Sequence, residues 1–286
     1  MSGEEYALEV EGLTRDYGTF KLDSVSFKLP MGYIMGFVGR NGAGKSTTLR
    51  CLLGIERPDD GRVTALGEDM ATNMLKLRQS IAFSDGTCES FKRVRAENLA
   101  KEYARFYDSF DFDRYGELKR RLELDSTKRL GEMSAGMRVK FSVILALSHK
   151  ASLFIFDEPT SGLDPVARDE MLDLFRELVA DGDKSVLFST HITSDLDKCA
   201  DYLTLIEGGK VFYSGVKDEI VASLALVSGG TLTEPVRRAA VGYKETSLGF
   251  HALVPRTNLP LDGVEQTAEP NIEELMLYVS RGYRHE

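Results

Sequence analysis

Residues 39–47 read Gly-Arg-Asn-Gly-Ala-Gly-Lys-Ser-Thr and directly follow an apolar run at residues 33–38. The spacing G-x-x-x-x-G-K-S is typical of a phosphate-binding loop, in which backbone N–H groups turn inward and the lysine reaches the β and γ phosphates. The serine hydroxyl can ligate Mg²⁺, and the breaker-free residues behind it should open a helix. The stretch predicts a nucleoside triphosphate site on an α/β core. The expected binding residues are Gly39, Arg40, Asn41, Gly42, Ala43, Gly44, Lys45, Ser46 and Thr47.

The composition is that of an ordinary soluble protein with room for a sizeable core. The chain has 286 residues, of which 42% are hydrophobic and 28% charged, and its net charge is −9. No stretch approaches the roughly 18 apolar residues that a membrane span requires. The acidic N-terminus, residues 1–6, lacks the basic start and apolar core of a secretory signal, so we expect the chain to stay in the cytoplasm. The acidic balance disfavours nucleic acid and favours a protein partner.

The cysteines are odd in number and far apart in the sequence. They are Cys51, Cys88 and Cys199. This spacing argues against a disulfide framework or a zinc cluster. We expect all three to be reduced and structural.

The first half of the chain combines a strand pattern with a helical one. Residues 6–13 and 20–29 alternate polar and apolar around a turn and predict two antiparallel strands. Residues 96–124 carry apolar side chains at spacings of three and four, and a second long helix should run from Ser134 to about residue 148. A helical insert at about residues 90–150 is therefore expected within the α/β chain.

The second half should complete the core and then end in an appendage. Residues 153–156 and 185–188 are short apolar runs of the kind found in buried parallel strands, and a helix is expected between them near residues 166–180. Beyond the core the pattern weakens, and a closing helix is expected around residues 272–279. We treat residues 221–286 as a small C-terminal appendage.

Two carboxylates follow one of these apolar runs. Asp157 and Glu158 would lie at the C-terminal end of a strand, where open α/β sheets hold their ligands. Asp157 would hold Mg²⁺ as the acidic partner of Ser46, and Glu158 would polarise the water that attacks the γ-phosphate. The alternative is that the two residues only cap the next turn.

Further motifs appear in a definite order along the chain. After the phosphate loop come Ser134-x-Gly136, then F-D-E-P-T-S-G-L-D-P, and finally S-T-H, which ends at His191. Over about residues 6–220 this set resembles the ATP-binding subunit of ABC transporters. The resemblance implies a P-loop NTPase core with an antiparallel β subdomain and a helical signature subdomain, forming an ATP-binding domain at residues 1–220. It also implies ATP and Mg²⁺ as cofactors. Two such subunits would dimerise head to tail, each ATP lying between one phosphate loop and the other subunit's signature.

The resemblance assigns roles to individual residues. Tyr17 matches the aromatic that stacks on adenine, Ser134 and Gly136 match the signature, Asp164 matches the loop that contacts the other subunit, and His191 matches the switch histidine. A serine N-cap followed by free helix N–H groups is an anion site, which suits the signature role. A histidine at the end of a buried strand can reach the γ-phosphate and the attacking water. The alternatives are an exposed turn tyrosine and a structural histidine.

Four residues depart from the usual pattern. Ala135 and Met137 stand where the signature normally has Gly and Gln, and Arg40 replaces a usual Pro. Ala135 suits a helix start, whereas Met137 removes a polar side chain near the nucleotide. Asp85 stands in the loop that normally supplies a Gln to Mg²⁺. We expect Asp85 to serve as a Mg²⁺ ligand in its place.

The motifs together predict an ATPase subunit that energises a separate transmembrane permease from the inner face of the cell membrane. The segment at residues 270–279 is similar to the ending of YtrB-like and bacitracin-type exporter subunits, which favours export. Helix-spaced aromatics in the insert would either dock a cytoplasmic helix of the permease or pack in the core. They are Tyr103, Phe106, Tyr107, Phe110, Phe112 and Tyr115.

Two other functional classes stay open. One is a soluble ATP clamp that acts on ribosomes or DNA, which is disfavoured by the single phosphate loop, the absence of heptads and the acidic charge. The other is a nucleotide sensor with weak turnover, suggested by Met137 and Asp85. Phosphate release by the purified protein would exclude the sensor.

Overall fold

The computed structural model describes residues 5–86 and 91–279. The strands are β1 (Tyr6–Asp16), β2 (Lys21–Pro30), β3 (Ile34–Val38), β4 (Asp60–Ala65), β5 (Glu68–Asp69), β6 (Ile81–Ser84), β7 (Leu153–Asp157), β8 (Ser185–Thr190), β9 (Tyr202–Glu207), β10 (Lys210–Val216), β11 (Leu224–Gly229), β12 (Gly242–Thr246), β13 (Gly249–Pro255) and β14 (Gln266–Ala268). The α-helices are α1 (Lys45–Leu52), α2 (Met70–Leu77), α3 (Ala96–Ala104), α4 (Phe112–Arg121), α5 (Ala135–Leu147), α6 (Pro165–Val179), α7 (Thr193–Cys199), α8 (Lys217–Ser223), α9 (Glu234–Ala239) and α10 (Ile272–Val279). In these ranges, no helix has the length and apolar character needed to cross a bilayer.

A six-stranded sheet positions the site. Its strand order is β10-β9-β3-β8-β7-β6, with β10 antiparallel at one edge and the other strands parallel. The carboxyl ends of parallel strands meet at one edge of a sheet, so the segments that follow Val38, Asp157 and Thr190 come together there. The predicted α/β class is confirmed.

Both faces of this sheet are buried, which explains the continuous apolar runs of its strands. On one face lies the main core, whose largest members are Phe141, Phe154, Phe156, Phe175 and Phe188. On the other face the alternate strand residues, among them Met35 and Phe37, pack against α1 and a second sheet. The period-two alternation of side chains thus divides each central strand between two cores.

The second sheet is the predicted antiparallel subdomain. Its strand order is β2-β1-β4-β5, and all of its pairings are antiparallel. Buried side chains such as Leu8, Val10 and Phe27 face the central sheet. The alternating pattern of residues 6–29 is therefore that of a sheet with one buried face.

The helical insert consists of α3, α4 and α5, and the predicted helical stretch at residues 96–124 is interrupted between α3 and α4. Its aromatics have two different environments. Tyr103 and Tyr115 pack in or against the main core, whereas Phe106 and Phe112 are exposed. Helical spacing alone did not distinguish the two environments, because an interrupted helix changes which side chains share a face.

Residues 224–279 form a C-terminal module that the sequence pattern did not reveal. Strands β11 to β14 build an antiparallel sheet of order β12-β13-β11-β14 with a small core of its own, which includes Val227, Val236 and Phe250. Its strands are short and separated by glycine and proline, so their alternation is weak in the sequence. Helix α8 leads into the module and spans residue 220.

The closing helix α10 has the predicted bounds and anchors the module to the rest of the chain. Ile272, Leu275 and Tyr278 belong to the main core, together with Leu196 and Cys199 of α7. The C-terminal module therefore shares a core with the helix that follows His191.

Two of the three cysteines lie in the described residues. Cys51 and Cys199 are buried free thiols. Burial raises the pKa of Cys51 to about 11 and that of Cys199 to about 12. Both stay protonated near neutral pH and pack as small apolar groups. Cys88 lies outside the described residues.

Candidate nucleotide site

The loop between β3 and α1 has the backbone that its glycines allow. Gly44 caps α1 at φ 113°, a conformation that side-chain-bearing residues rarely adopt. A Cβ on Gly39 would lie 2.3 Å from the carbonyl oxygen of Ile206 on β9. The glycines therefore let the loop turn tightly against the end of the sheet.

Lys45 is folded over this loop. Its Nζ donates to the carbonyl of Gly39 at 2.7 Å and lies 3.8 Å from Oε1 of Glu158. The side chain is only 6% exposed. Burial lowers the pKa of Lys45, an effect that the carboxylates of Glu158 and Asp157 oppose. One cationic group thus lies between the phosphate loop and the two carboxylates.

The remaining loop residues divide by exposure. Those that face solvent are Arg40, Asn41, Gly42 and Ser46, with Thr47 half-buried. Those that are buried with Lys45 are Gly39, Ala43 and Gly44. A bound phosphate chain would contact the exposed side of this loop.

Asp157 and Glu158 are held by the neighbouring strand β8. Ser189 pairs with Asp157 in the sheet, and its hydroxyl donates to the Asp157 carboxylate. The backbone N–H of Glu158 bonds to both the carbonyl and the hydroxyl oxygen of Ser189, each at 3.1 Å. Ser189 is a site residue for which the sequence predicted no role, although parallel pairing of β7 and β8 places it opposite Asp157.

Glu158 meets His191 at the same edge. Oε2 of Glu158 lies 2.7 Å from Nδ1 of His191, while its other carboxylate oxygen faces Lys45. The backbone of Glu158 has φ 52°, in the left-handed region that non-glycine residues seldom occupy. The structure therefore brings Lys45 and His191, which lie 113 and 33 positions from Glu158 along the chain, to the two oxygens of the Glu158 carboxylate.

The predicted Mg²⁺ ligands offer suitable donors. Asp85, Asp157 and Glu158 line one cavity of about 370 Å³, and Ser46 is exposed in the first turn of α1. Mg²⁺ prefers oxygen ligands and is usually bound by one or two carboxylates together with substrate phosphates. The residues present fit that requirement.

The signature residues begin α5. Ser134 is its N-cap, and the Ser134 hydroxyl accepts from the N–H of Met137 at 3.1 Å. Ser134 and Ala135 are exposed, whereas the side chain of Met137 packs against the main core. A Cβ on Gly136 would lie 2.6 Å from the carbonyl oxygen of Gly162. Gly136 thus lets the helix start approach the loop that leads to Asp164.

Asp164 caps α6. One carboxylate oxygen accepts from the N–H groups of Val166 and Ala167, both at 3.0 Å. These backbone bonds, that from Ala167 foremost, hold the pKa of Asp164 below its usual range. Asp164 and the neighbouring Val166 are both exposed, so the start of α6 lies at the surface of the chain.

Tyr17 lies in the turn between β1 and β2 and is 43% exposed. Its hydroxyl donates to the carboxylate of Glu56, and the Arg15 guanidinium carbon lies 5.1 Å from its ring centre. The bond to Glu56 raises the pKa of Tyr17. Glu56 and Arg15, which the sequence did not single out, therefore set the orientation of an exposed aromatic ring near the end of α1.

Comparison with known proteins gives a consistent result. A family model described as "ABC transporter" matches residues 22–161. The chain is 30% identical to the Nod factor export ATP-binding protein I of Rhizobium sp. (strain N33), over 80% of this chain and 79% of the relative. It is 32% identical to the bacitracin transport ATP-binding protein BcrA of Bacillus licheniformis, over 71% and 68%. A solved structure of the ATP-binding subunit of an ABC transporter superposes with a TM-score of 0.69 at 28% identity, over 76% of this chain and 92% of the other.

Proposed function

Because the chain belongs to the ABC transporter family as an ATP-hydrolysing subunit, we propose that it energises a separate transmembrane permease and that this permease is an exporter. The observation that carries the proposal is the convergence of Lys45, Glu158 and His191 at the carboxyl edge of the sheet. The names of the relatives support export, since one is a Nod factor export ATP-binding protein and another is a bacitracin transport ATP-binding protein.

The residues at this edge divide the work of hydrolysis. Lys45 would turn from Glu158 to the β and γ phosphates when ATP binds, which frees the carboxylate to accept a proton from the attacking water. His191, held at 2.7 Å from Glu158, would contact the γ-phosphate and keep the carboxylate directed at the water. Mg²⁺, held by Ser46 and Asp157 with Asp85 as a further donor, would neutralise phosphate charge. The ring of Tyr17 would stack on the adenine.

A second subunit would complete the site. The exposed N-terminus of α5, with Ser134 and Gly136, presents free N–H groups that favour an anion. In a head-to-tail dimer it would meet the γ-phosphate held by the other subunit, and Asp164 would line the contact. Phosphate release would then remove the shared anion and let the dimer open.

An apolar groove offers a place for the permease. This docking groove is lined by Leu53, Ile55, Met74, Leu75, Phe106 and Tyr107, and its volume is about 450 Å³. It lies between the end of α1, helix α2 and the residues that follow α3. Exposed apolar side chains grouped in this way are typical of a protein interface. A cytoplasmic helix of the permease would dock here, and the chain would then lie on the inner face of the membrane.

Co-purification from native membranes tests this proposal. In gentle detergent with ATP and Mg²⁺, the wild-type chain should recover a multi-span protein. Phe106→Ser, which changes a 74% exposed groove residue, should weaken the complex about 30-fold and lower the recovery, since it removes an apolar contact of about 2 kcal/mol. Leu248→Ser, at a more exposed apolar site on the β12–β13 turn and outside the groove, is the control and should leave recovery unchanged. Recovery of ribosomes or DNA without a multi-span protein would contradict the proposal.

A further inference from the structure

A buried carboxylate lies directly behind the candidate site. Asp195, in the first turn of α7, is only 1% exposed. Its Oδ2 accepts from the hydroxyl of Thr160 at 2.6 Å, and Thr160 is itself fully buried. A carboxylate is costly to bury unless it is hydrogen-bonded or paired. Burying Asp195 therefore costs free energy that apolar packing does not offset, and the hydrogen bond from Thr160 compensates part of that cost.

Thr160 is tied closely to Glu158. It follows Glu158 by two residues, and the turn between them is closed by the bond from the Ser161 N–H to the Glu158 carbonyl at 3.2 Å. The N–H of Leu163 bonds in turn to the carbonyl of Thr160 at 3.3 Å. A displacement of Thr160 would therefore be passed to the backbone of Glu158.

Asp195 is tied in the same way to His191. It follows His191 by four residues, and its N–H bonds to the carbonyl of Ile192 at 3.2 Å. Ile192 occupies the N-cap of α7 and supplies no side-chain cap. The hydroxyl of Thr190 holds the Ile192 N–H at 2.9 Å, which anchors the turn to β8. The Thr160–Asp195 bond adds a connection from α7 to the segment that carries Glu158.

A third segment reaches the same carboxylate. Oδ1 of Asp195 lies 4.0 Å from Nε of Arg168 on α6, the helix capped by Asp164. Among the described residues, neither of these two atoms has a hydrogen-bond partner. Asp195 thus lies where the segments bearing the base, the histidine and the predicted dimer loop meet.

We propose that Thr160 and Asp195 are positioning residues for ATP hydrolysis, whose buried hydrogen bond holds His191 against Glu158. The proposal rests on the roles in hydrolysis proposed above for His191 and Glu158. Both side chains are buried, and neither lines the cavity beside Asp157 and Glu158. Their loss should therefore lower the rate of hydrolysis and leave ATP binding intact, since a small misplacement of catalytic groups is costly in the transition state.

Removal of the Thr160 hydroxyl is the first test. Thr160→Val keeps the volume of the side chain and removes the donor. We expect kcat, measured as phosphate release, to fall about tenfold, while KM for ATP and the ATP dissociation constant from calorimetry stay within about twofold. Thr160→Ser restores the hydroxyl and should keep kcat within about twofold of wild type. If Thr160→Val does not fold, Thr160→Ala removes the same hydroxyl without adding volume and carries the same expectations.

The His191→Ala background separates positioning from a merely structural role. If Thr160 acts through His191, adding Thr160→Val to His191→Ala should change the single-turnover rate by less than about twofold, because groups that act as a unit are not additive. A tenfold loss in both backgrounds would overturn the proposal. A lowered melting temperature of Thr160→Val together with a wild-type kcat would also overturn the proposal.

The same variants distinguish this proposal from the function on which it rests. Reduced turnover in His191→Ala with normal turnover in Thr160→Val would overturn the positioning role alone. Normal turnover in His191→Ala would overturn the histidine role and, with it, this inference.

Discussion

Glu158 combines an unusual backbone with three specific contacts. A non-glycine residue at φ 52° costs about 1–3 kcal/mol, and it persists only where the surroundings hold it. Here Ser189 bonds the Glu158 N–H, while Lys45 and His191 contact its two carboxylate oxygens. The strained conformation directs the carboxylate away from the strand and towards the phosphate loop. At the residue scale, the site therefore depends on one side chain held by groups from the start of α1, from β8 and from the residue that follows β8.

Glu158→Gln should slow ATP hydrolysis by about 100-fold or more and leave ATP affinity within a few-fold. The amide keeps the shape of the side chain but does not accept the proton of the attacking water. Phosphate release under single-turnover conditions measures the loss, and calorimetric titration measures binding. Glu273→Gln, on the exposed side of α10, is the control and should behave as wild type. Wild-type turnover in Glu158→Gln would refute the assigned base.

At the scale of elements, the start of α5 depends on close approach to the loop before α6. Gly136 and Gly162 come so near that a methyl group on Gly136 would lie 2.6 Å from a backbone oxygen. Backbone cannot give way as a flexible side chain can. The spacing between the signature and Asp164 is therefore determined by the absence of a side chain at position 136.

Gly136→Ala should destabilise the protein by about 1–3 kcal/mol and reduce turnover, because the added methyl overpacks this contact. Thermal unfolding and phosphate release measure the two effects. Gly116→Ala, within α4, is the matched control, since a Cβ there meets open space. It should be neutral or stabilising by about 0.5–1 kcal/mol. If the two variants have the same thermal stability and the same rate of phosphate release, the contact between Gly136 and Gly162 does not constrain α5.

A buried histidine makes the helical insert sensitive to acid. His149, just after α5, stacks on Tyr107 with ring centres 4.1 Å apart, and burial lowers its pKa to about 4. The unfolded chain, with an ordinary pKa near 6.5, binds the proton first, so stability is lost as pH falls from about 6.5 towards 4. Between pH 7 and 5 this group alone should remove about 2 kcal/mol.

His149→Phe should flatten that pH dependence, because phenylalanine keeps an aromatic ring in place and does not titrate. The free energy of unfolding from urea titrations at pH 7, 6 and 5 measures it. We expect the loss between pH 7 and 5 to be about 2 kcal/mol smaller in the variant than in wild type. Parallel curves for the two proteins would contradict the assignment of a buried neutral histidine.

For the whole molecule, α10 joins the C-terminal module to the ATPase core. Its buried side chains pack beside α7, which begins two residues after His191. Leu224 and Leu253 of the module belong to the same core, so a structural change in the module would reach α7 and the candidate site through this shared packing. We treat residues 1–220 and 221–286 as proposed domains that share this packing.

Leu275→Ala should lower the free energy of unfolding by about 2–5 kcal/mol, since Leu275 is fully buried in the main core. Leu277→Ala, on the same helix but 43% exposed, should cost less than about 1 kcal/mol. Urea unfolding measures both, and a single transition is expected because the core is shared. A separate early transition in wild type, unaffected by Leu275→Ala, would show that the module folds on its own.

Contiguous motifs and local periodicity are enough to predict the features that depend on neighbouring residues. The phosphate loop, the carboxylates at the end of β7 and the cap of α5 follow from contiguous motifs, and the closing helix α10 follows from local periodicity. The contacts of Lys45 and His191 with Glu158, the Thr160–Asp195 bond and the sheet of the C-terminal module are seen only in the three-dimensional structure. These depend on strand order and register, which place residues far apart in sequence at one edge of a sheet, and no local pattern encodes that placement.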